Sequence, residues 1–257
     1  MMQPRKAVLL LLFLATMPPC ALLAQDRSAN IDVKEIVKKV DALYRSGSSA
    51  GEMEMQIVTP HWERTLRMKI WTQGMNKTFI RILSPAKEKG VATLRIGNEM
   101  WNYLPNTSKV IKIPPSMMMS SWMGSDFTND DLVNEFTLFE DFHYKLITPE
   151  NNEAGLLYVE SIPREGLPIV WGKIVTAVHQ DGYMPVWEKY YDEKGNLMRT
   201  LYFRDIKAFG SRTIPATMEL IPQNKEGQKT VIRYLALEFN KKLDEEIFSL
   251  RNLQARN

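Results

Sequence analysis

From Met53 to Phe239 the apolar residues change sides with a period of two, a pattern that a helical bundle cannot use. Met53, Met55 and Ile57 alternate with Glu52, Glu54 and Gln56; Leu66, Met68 and Ile70 alternate with Arg67 and Lys69; Ile80 and Ile82 bracket Arg81. Such runs are strands with one apolar face and one wet face. Further strands are expected near Val91–Ile96, Met100–Leu104, Lys109–Ile113, Phe139–Ile147, Leu156–Ser161, Ile174–His179, Val186–Tyr191, Leu197–Asp205, Thr213–Leu220 and Thr230–Phe239. Turn signals such as Gly97-Asn98, Asp181-Gly182 and Lys194-Gly195-Asn196 separate them. Short spacings with tight turns imply an antiparallel meander. The expected fold is mainly β (α+β): one strongly curved sheet, open or closed, with every second residue lining its inner face.

Before the strands, the period is helical. Val33, Ile36, Val37, Val40, Leu43 and Tyr44 make one stripe, and Asp32 with Glu35 reads as a capping box. Earlier still, Arg5-Lys6, the apolar run Ala7 to Thr16 and Ala21-Leu22-Leu23-Ala24 read as a secretory signal over residues 1–24, leaving a single domain over 25–257. The apolar run falls short of the roughly 20 residues that span a bilayer. The protein is therefore expected in an extracytoplasmic space, with transient membrane contact at most.

Several chemistries find no pattern. The one cysteine, Cys20, lies in the leader, so the mature chain offers no thiol for disulfides, zinc or catalysis. His61, His143 and His179 have no paired spacing, and Asp126, Thr128 and Asp130 start a calcium loop that lacks its glycine and its closing glutamate. They suit a helix cap better, with Thr128 and Asp131 as a capping box. There is no Gly-x-Ser-x-Gly elbow and no Gly-rich phosphate loop. The net charge of +3 includes Arg5 and Lys6 of the leader, which argues against nucleic acid. No enzyme, metal or cofactor is expected.

The meander breaks between Pro115 and Glu135. Met117, Met118, Met119, Trp122, Met123 and Phe127 crowd a stretch with neither strand nor helix period. Methionine suits surfaces that repack around varied apolar partners, so this segment is expected to be a lid. Met53, Met55, Ile57, Leu66, Met68 and Ile70 are expected to line the groove beneath it, with Trp101 and Tyr103 near the rim. Taking a chain of roughly sixteen carbons from a membrane costs about 12 kcal/mol. Four buried methionines return roughly 8 kcal/mol, so a concave face has to take the chain as well.

Two stretches carry a resemblance. The first runs from Gly90-Val91-Ala92-Thr93-Leu94-Arg95-Ile96 through Met100-Trp101-Asn102-Tyr103-Leu104-Pro105 to Met123-Gly124-Ser125-Asp126-Phe127 and Asp131-Leu132; the second includes Tyr202-Phe203-Arg204-Asp205-Ile206, Ile214-Pro215, Phe239-Asn240 and Phe248. They resemble the outer-membrane lipoprotein-sorting, LolA-like, superfamily, in particular the branch found beside RND/MMPL-type transporters. The resemblance implies a half-open β-barrel closed by helices. It implies a periplasmic carrier of lipid or lipoprotein acyl chains between inner and outer membranes, partnered by an inner-membrane transporter of the RND/MMPL or ABC type. It brings no catalytic residues. A periplasmic lipid-sensing regulatory protein is the alternative on the same fold.

Overall fold

A computed structural model describes residues 31–133 and 137–255; the leader expected over residues 1–24 lies outside them. Thirteen strands form one antiparallel sheet. They are β1 (Ser48–Val58), β2 (Glu63–Gln73), β3 (Lys77–Ser84), β4 (Ala92–Ile96), β5 (Glu99–Leu104), β6 (Lys109–Lys112), β7 (Phe142–Ile147), β8 (Leu156–Pro163), β9 (Lys173–His179), β10 (Pro185–Tyr191), β11 (Leu197–Phe209), β12 (Arg212–Pro222) and β13 (Lys229–Phe239). Two meanders, β1–β6 and β7–β13, join where β1 pairs with β13, and the order is β6-β5-β4-β3-β2-β1-β13-β12-β11-β10-β9-β8-β7. Among the described residues, β6 and β7 are the two edge strands, each paired on one side only, so the barrel is half-open. At the seam, Gly51 faces Leu237, and a Cβ on Gly51 would meet the Ala236 carbonyl oxygen at 2.4 Å. Only glycine permits that approach.

The parity expected for β1 and β2 holds. Met53, Met55, Ile57, Leu66 and Met68 pack on the inner face with Ile80, Ile82 and Met100. The outer face of the N-terminal half is also covered. Phe79, Leu94 and Tyr103 pack there against Phe248 and Leu253, from the turn at Glu245–Phe248 and helix α4 (Leu250–Gln254). Burial on both faces explains one departure from the sequence pattern. Arg81, expected on the wet side, is buried and donates to the carbonyls of Asn252 and Ala255, closing the end of α4.

Helix α1 (Val33–Ala42) starts at Asp32, whose carboxylate accepts from the Lys34 backbone N–H at 2.9 Å. Glu35 pairs with Lys39 and does not complete the expected capping box. A second correction concerns Phe139–Ile147. Its first part is helix α3 (Leu138–Asp141), and the strand begins at Phe142. The start is capped twice: the Thr137 hydroxyl accepts from the Glu140 backbone N–H at 3.1 Å, and Asp41 of α1 accepts from the backbone N–H groups of Leu138 and Phe139 at 3.1 and 2.8 Å. A carboxylate there satisfies two of the donors that a helix start leaves unpaired.

Between β6 and β7 the chain crosses the inner face from edge to edge. Its turns at Pro115–Met117 and Trp122–Gly124 and helix α2 (Asn129–Val133) are fastened in sequence. The Trp122 indole donates to Thr93 of β4 at 3.2 Å, and Arg64 of β2 donates to the Met123 carbonyl. Asp126 accepts from Thr230 of β13 at 2.8 Å and from Gln228 at 2.6 Å, and Asp131 pairs with Arg199 of β11 at 2.7 and 2.8 Å. This strap is held to both halves of the sheet. The capping box of α2 forms as the sequence indicates, with the Asp131 backbone N–H donating to the Thr128 hydroxyl and the Thr128 N–H to the Asp131 carboxylate.

Candidate functional site

The strap fills only the N-terminal half of the trough. Trp122 is 3% exposed, and Met118 and Met123 pack with it onto the cluster around Met55 and Met68. There the interior is solid. Beyond α2, a cavity of about 450 Å³ opens between α1 and the inner face of the sheet, spanning the β1–β13 seam from Ser49, Ile70 and Thr72 to Glu188 and Leu201. It lies within the roughly 300–1,000 Å³ of ligand-sized clefts.

Val40 of α1 forms one wall with Leu43 and Tyr44, which follow the helix; Leu201, Phe203, Met218 and Tyr234 of β11–β13 form the floor, and Leu132 of α2 and Trp171 also line the space. Ile70 of β2 and Glu188 of β10 both reach this space, although five strand spacings separate them. On a flat sheet, five spacings of about 4.8 Å would put them roughly 24 Å apart. The sheet therefore curls around the cavity. Tyr44 fixes α1 over it by donating to the Pro215 carbonyl at 2.8 Å, and its ring stacks on Tyr234 at 6.0 Å.

A polar wall faces this apolar space. The Arg199 guanidinium lies 4.4 Å from the Trp171 ring centroid and 4.6 Å from that of Tyr190. Its two Nη atoms hold both oxygens of Asp131. Burial alone would push the Asp131 carboxyl up, but Arg199 outweighs it and brings the group below its ordinary value. Glu188 is different. Burial, reinforced by the charge of Asp41, holds its carboxyl above the usual range, against the hydrogen bond donated by the Tyr190 hydroxyl at 2.5 Å. Burial, followed by the nearby Glu188, raises the Tyr190 phenol in turn.

The structure thus divides the residues singled out from sequence. Ile70 lines the cavity. Met53, Met55, Ile57, Leu66 and Met68 share its face but lie at most 5% exposed under the strap, in packed core. Trp101 and Tyr103 belong to the outer-face cluster with Phe248, on the opposite side of the sheet from the cavity. Met117 and Met119 are 47% and 51% exposed, and Phe127 is half-buried. Glu188, Tyr190, Arg199, Trp171 and the α1 residues were not singled out. The shared parity of Leu201 and Phe203 on β11 is the local signal that could have found the second half of the sheet. Asp126, first met in a calcium-like pattern, is a strap anchor instead. Among the described residues, no group of three or more His, Cys, Asp or Glu side chains could hold a metal ion.

The division gives a mutational contrast. Replacing Met118 and Met123 together by Ser should lower unfolding free energy by about 2–4 kcal/mol, since each removes packed apolar surface. The same change at Met117 and Met119 should shift it by less than about 0.5 kcal/mol each. Urea titration of both pairs checks this; equal losses would mean that the exposed pair is packed in solution.

Comparisons with known proteins accord with this architecture. A family model described as that of an uncharacterized protein matches residues 74–255. The chain belongs to that family, and its fold is LolA-like. A protein described as an outer-membrane lipoprotein-sorting domain from Vibrio parahaemolyticus superposes with a TM-score of 0.73 at 24% identity, covering 86% of this chain and 98% of that one. A DUF1329 family protein from Desulfovibrio piger gives 0.75 at 24% identity, with 86% and 97% covered. A LolA superfamily protein from Nitrosomonas europaea gives 0.70 at 21%, with 85% and 98% covered. No curated protein sequence matches the chain. Among the described residues, no helix of this LolA-like protein is long and apolar enough to cross a membrane.

Proposed function

We propose that this protein holds an acyl chain of a lipid or lipoprotein in the cavity between α1 and the curled sheet, and carries it through the periplasm between inner and outer membranes. The observation that carries the reading is the cavity itself, walled by Leu43, Leu201, Phe203 and Met218 beside the packed cluster under the strap. Its size suits one tail and leaves a second without room. The leader expected over residues 1–24 would deliver the chain to the periplasm, and an inner-membrane transporter of the RND/MMPL or ABC type would load it. The site is a binding site without a catalytic constellation. Ile70 takes part in it, and the Met-rich strap would act as the wall that seals the trough at one end.

The test is native mass spectrometry of protein purified without detergent, with liposome-to-liposome transfer of a fluorescent lipid. The wild-type chain should carry one lipid and accelerate transfer. Met218→Trp, which fills the cavity, should abolish both while the fold persists by circular dichroism. Lipid bound equally well by the filled variant overturns the site. Binding without accelerated transfer overturns the carrier role and favours a lipid-sensing regulator.

A further inference from the structure

One buried donor of the cavity wall has no acceptor within the protein. Arg199 carries five guanidinium N–H groups in a fixed plane. Its Nη1 and Nη2 each donate to Asp131, at 2.8 and 2.7 Å, which places that carboxylate across the far end of the fork. The Nε–H, on the opposite side, is buried and has no hydrogen-bond partner among the described residues. The hydroxyl of Tyr190, the cross-strand neighbour of Arg199, is committed to Glu188 at 2.5 Å. Of the buried side-chain nitrogen and oxygen atoms left unpartnered among the described residues, the Arg199 Nε is the one that belongs to a cavity-lining residue. Buried donors are nearly always paired, and each unpaired one is costly. An apolar tail that fills the cavity also expels water from this wall, so the ligand itself has to bring the acceptor.

The strand beneath supplies a direction. Arg199, Leu201 and Phe203 alternate onto the inner face of β11, and all three line the cavity. Register sets Leu220 opposite Leu201 and Met218 opposite Phe203. A chain held by its polar end at Arg199 therefore lies over an apolar track, with Phe203 roughly 13 Å further along.

We propose that the Arg199 Nε–H donates to the carbonyl oxygen of the acyl linkage, and that the cargo is an ester- or amide-linked acyl chain, not a free fatty acid. The proposal rests on the acyl-binding reading and adds the linkage to it. Charge decides between carbonyl and carboxylate. Asp131 already matches the guanidinium, so an ionised acid would enter the wall as a second buried anion facing one cation. Its uncompensated desolvation disfavours it strongly. A carbonyl oxygen brings an acceptor without a charge.

The experiment measures displacement of Nile red from the purified chain, at neutral pH, by four ligands of one chain length. They are the fatty-acid methyl ester, its N-methyl amide, the methyl alkyl ether, which lacks only the carbonyl, and the free fatty acid. Ester and amide should each bind about tenfold more tightly than the ether, as one hydrogen bond to a charged donor implies. The tighter of the two names the linkage, and the acid should bind more weakly than the ester. Arg199→Lys keeps a cation beside Asp131 but removes the Nε–H, and should erase the advantage of ester and amide over the ether. A second measurement needs no variant: in infrared spectra of the wild-type complex, the isotopically labelled ester carbonyl should absorb at lower wavenumber than in hexane. Equal affinity of the ether and both carbonyl ligands, an unshifted carbonyl band, or an acid bound more tightly than the ester overturns the linkage assignment alone. So does an Arg199→Lys protein that folds and keeps the preference. Failure of all four ligands to displace the dye overturns the acyl reading and this one with it.

Discussion

Arg199→Met should destabilise the protein by roughly 3–5 kcal/mol, because it strands the Asp131 carboxylate in the interior without its cation. The two side chains are only 11% and 17% exposed, so water cannot replace the lost partner. The same change removes the guanidinium from beside the Trp171 and Tyr190 rings, at 4.4 and 4.6 Å from their centroids, a cation–π contact worth up to about 2 kcal/mol when desolvated. Asp131→Asn on the Arg199→Met background should restore part of the loss, since an amide carries no buried charge. The pair also sets an acid limit. Folding holds the Asp131 carboxyl below its ordinary value of 3.8. Its contribution is therefore fully present above pH 3.8 and is lost as pH falls through the folded value. Denaturant titrations from pH 6 to pH 2 should show this loss in the wild type and not in Asp131→Asn. Identical acid profiles would remove the ion pair from the account of the strap.

Trp122→Ala should cost about 3–5 kcal/mol, the range for truncating a large buried aromatic. The ring is 3% exposed and sits in the cluster with Met55, Met68, Met100 and Ile113. Trp122→Phe separates packing from polarity. It keeps most of the contact and loses the indole N–H to Thr93, which still donates to Asn102 at 2.7 Å. A loss of about 1–2 kcal/mol is expected for the Phe variant. Circular dichroism melts of the two variants measure both effects. If Trp122→Ala loses less than about 1 kcal/mol, the strap is a loose cover and the cavity extends beneath it.

These two residues show where sequence reasoning reached and where it stopped. The strands were legible because Met53-Glu54-Met55 and Leu66-Arg67-Met68 alternate in the only way that puts their apolar side chains on one face. The capping box of α2 was legible because Thr128 and Asp131 lie one turn apart. Helix α3 was read as strand although Thr137 caps it locally, because it is only four residues long and runs straight into β7. The groove residues were read to the correct face, yet a face is not a cavity. Met55 and Trp101 carry no local mark that one will be sealed by Trp122 and the other covered from outside by Phe248. Glu188 and Arg199 carry no local mark that sets them apart from other charged strand residues. Only the curl of the sheet, which no window of ten residues contains, brings them inside.

The pairing of β1 with β13 governs the order in which such a molecule can assemble. Synthesis delivers β1 among the first strands and its partner last, so the inner edge of the first meander waits for nearly the whole chain to emerge. Pairings of such long sequence separation form slowly, and an unpaired edge invites stray strands in the meantime. The nascent chain is thereby barred from closing early, and β13 (Lys229–Phe239) acts as the clasp that commits the finished chain to one shape.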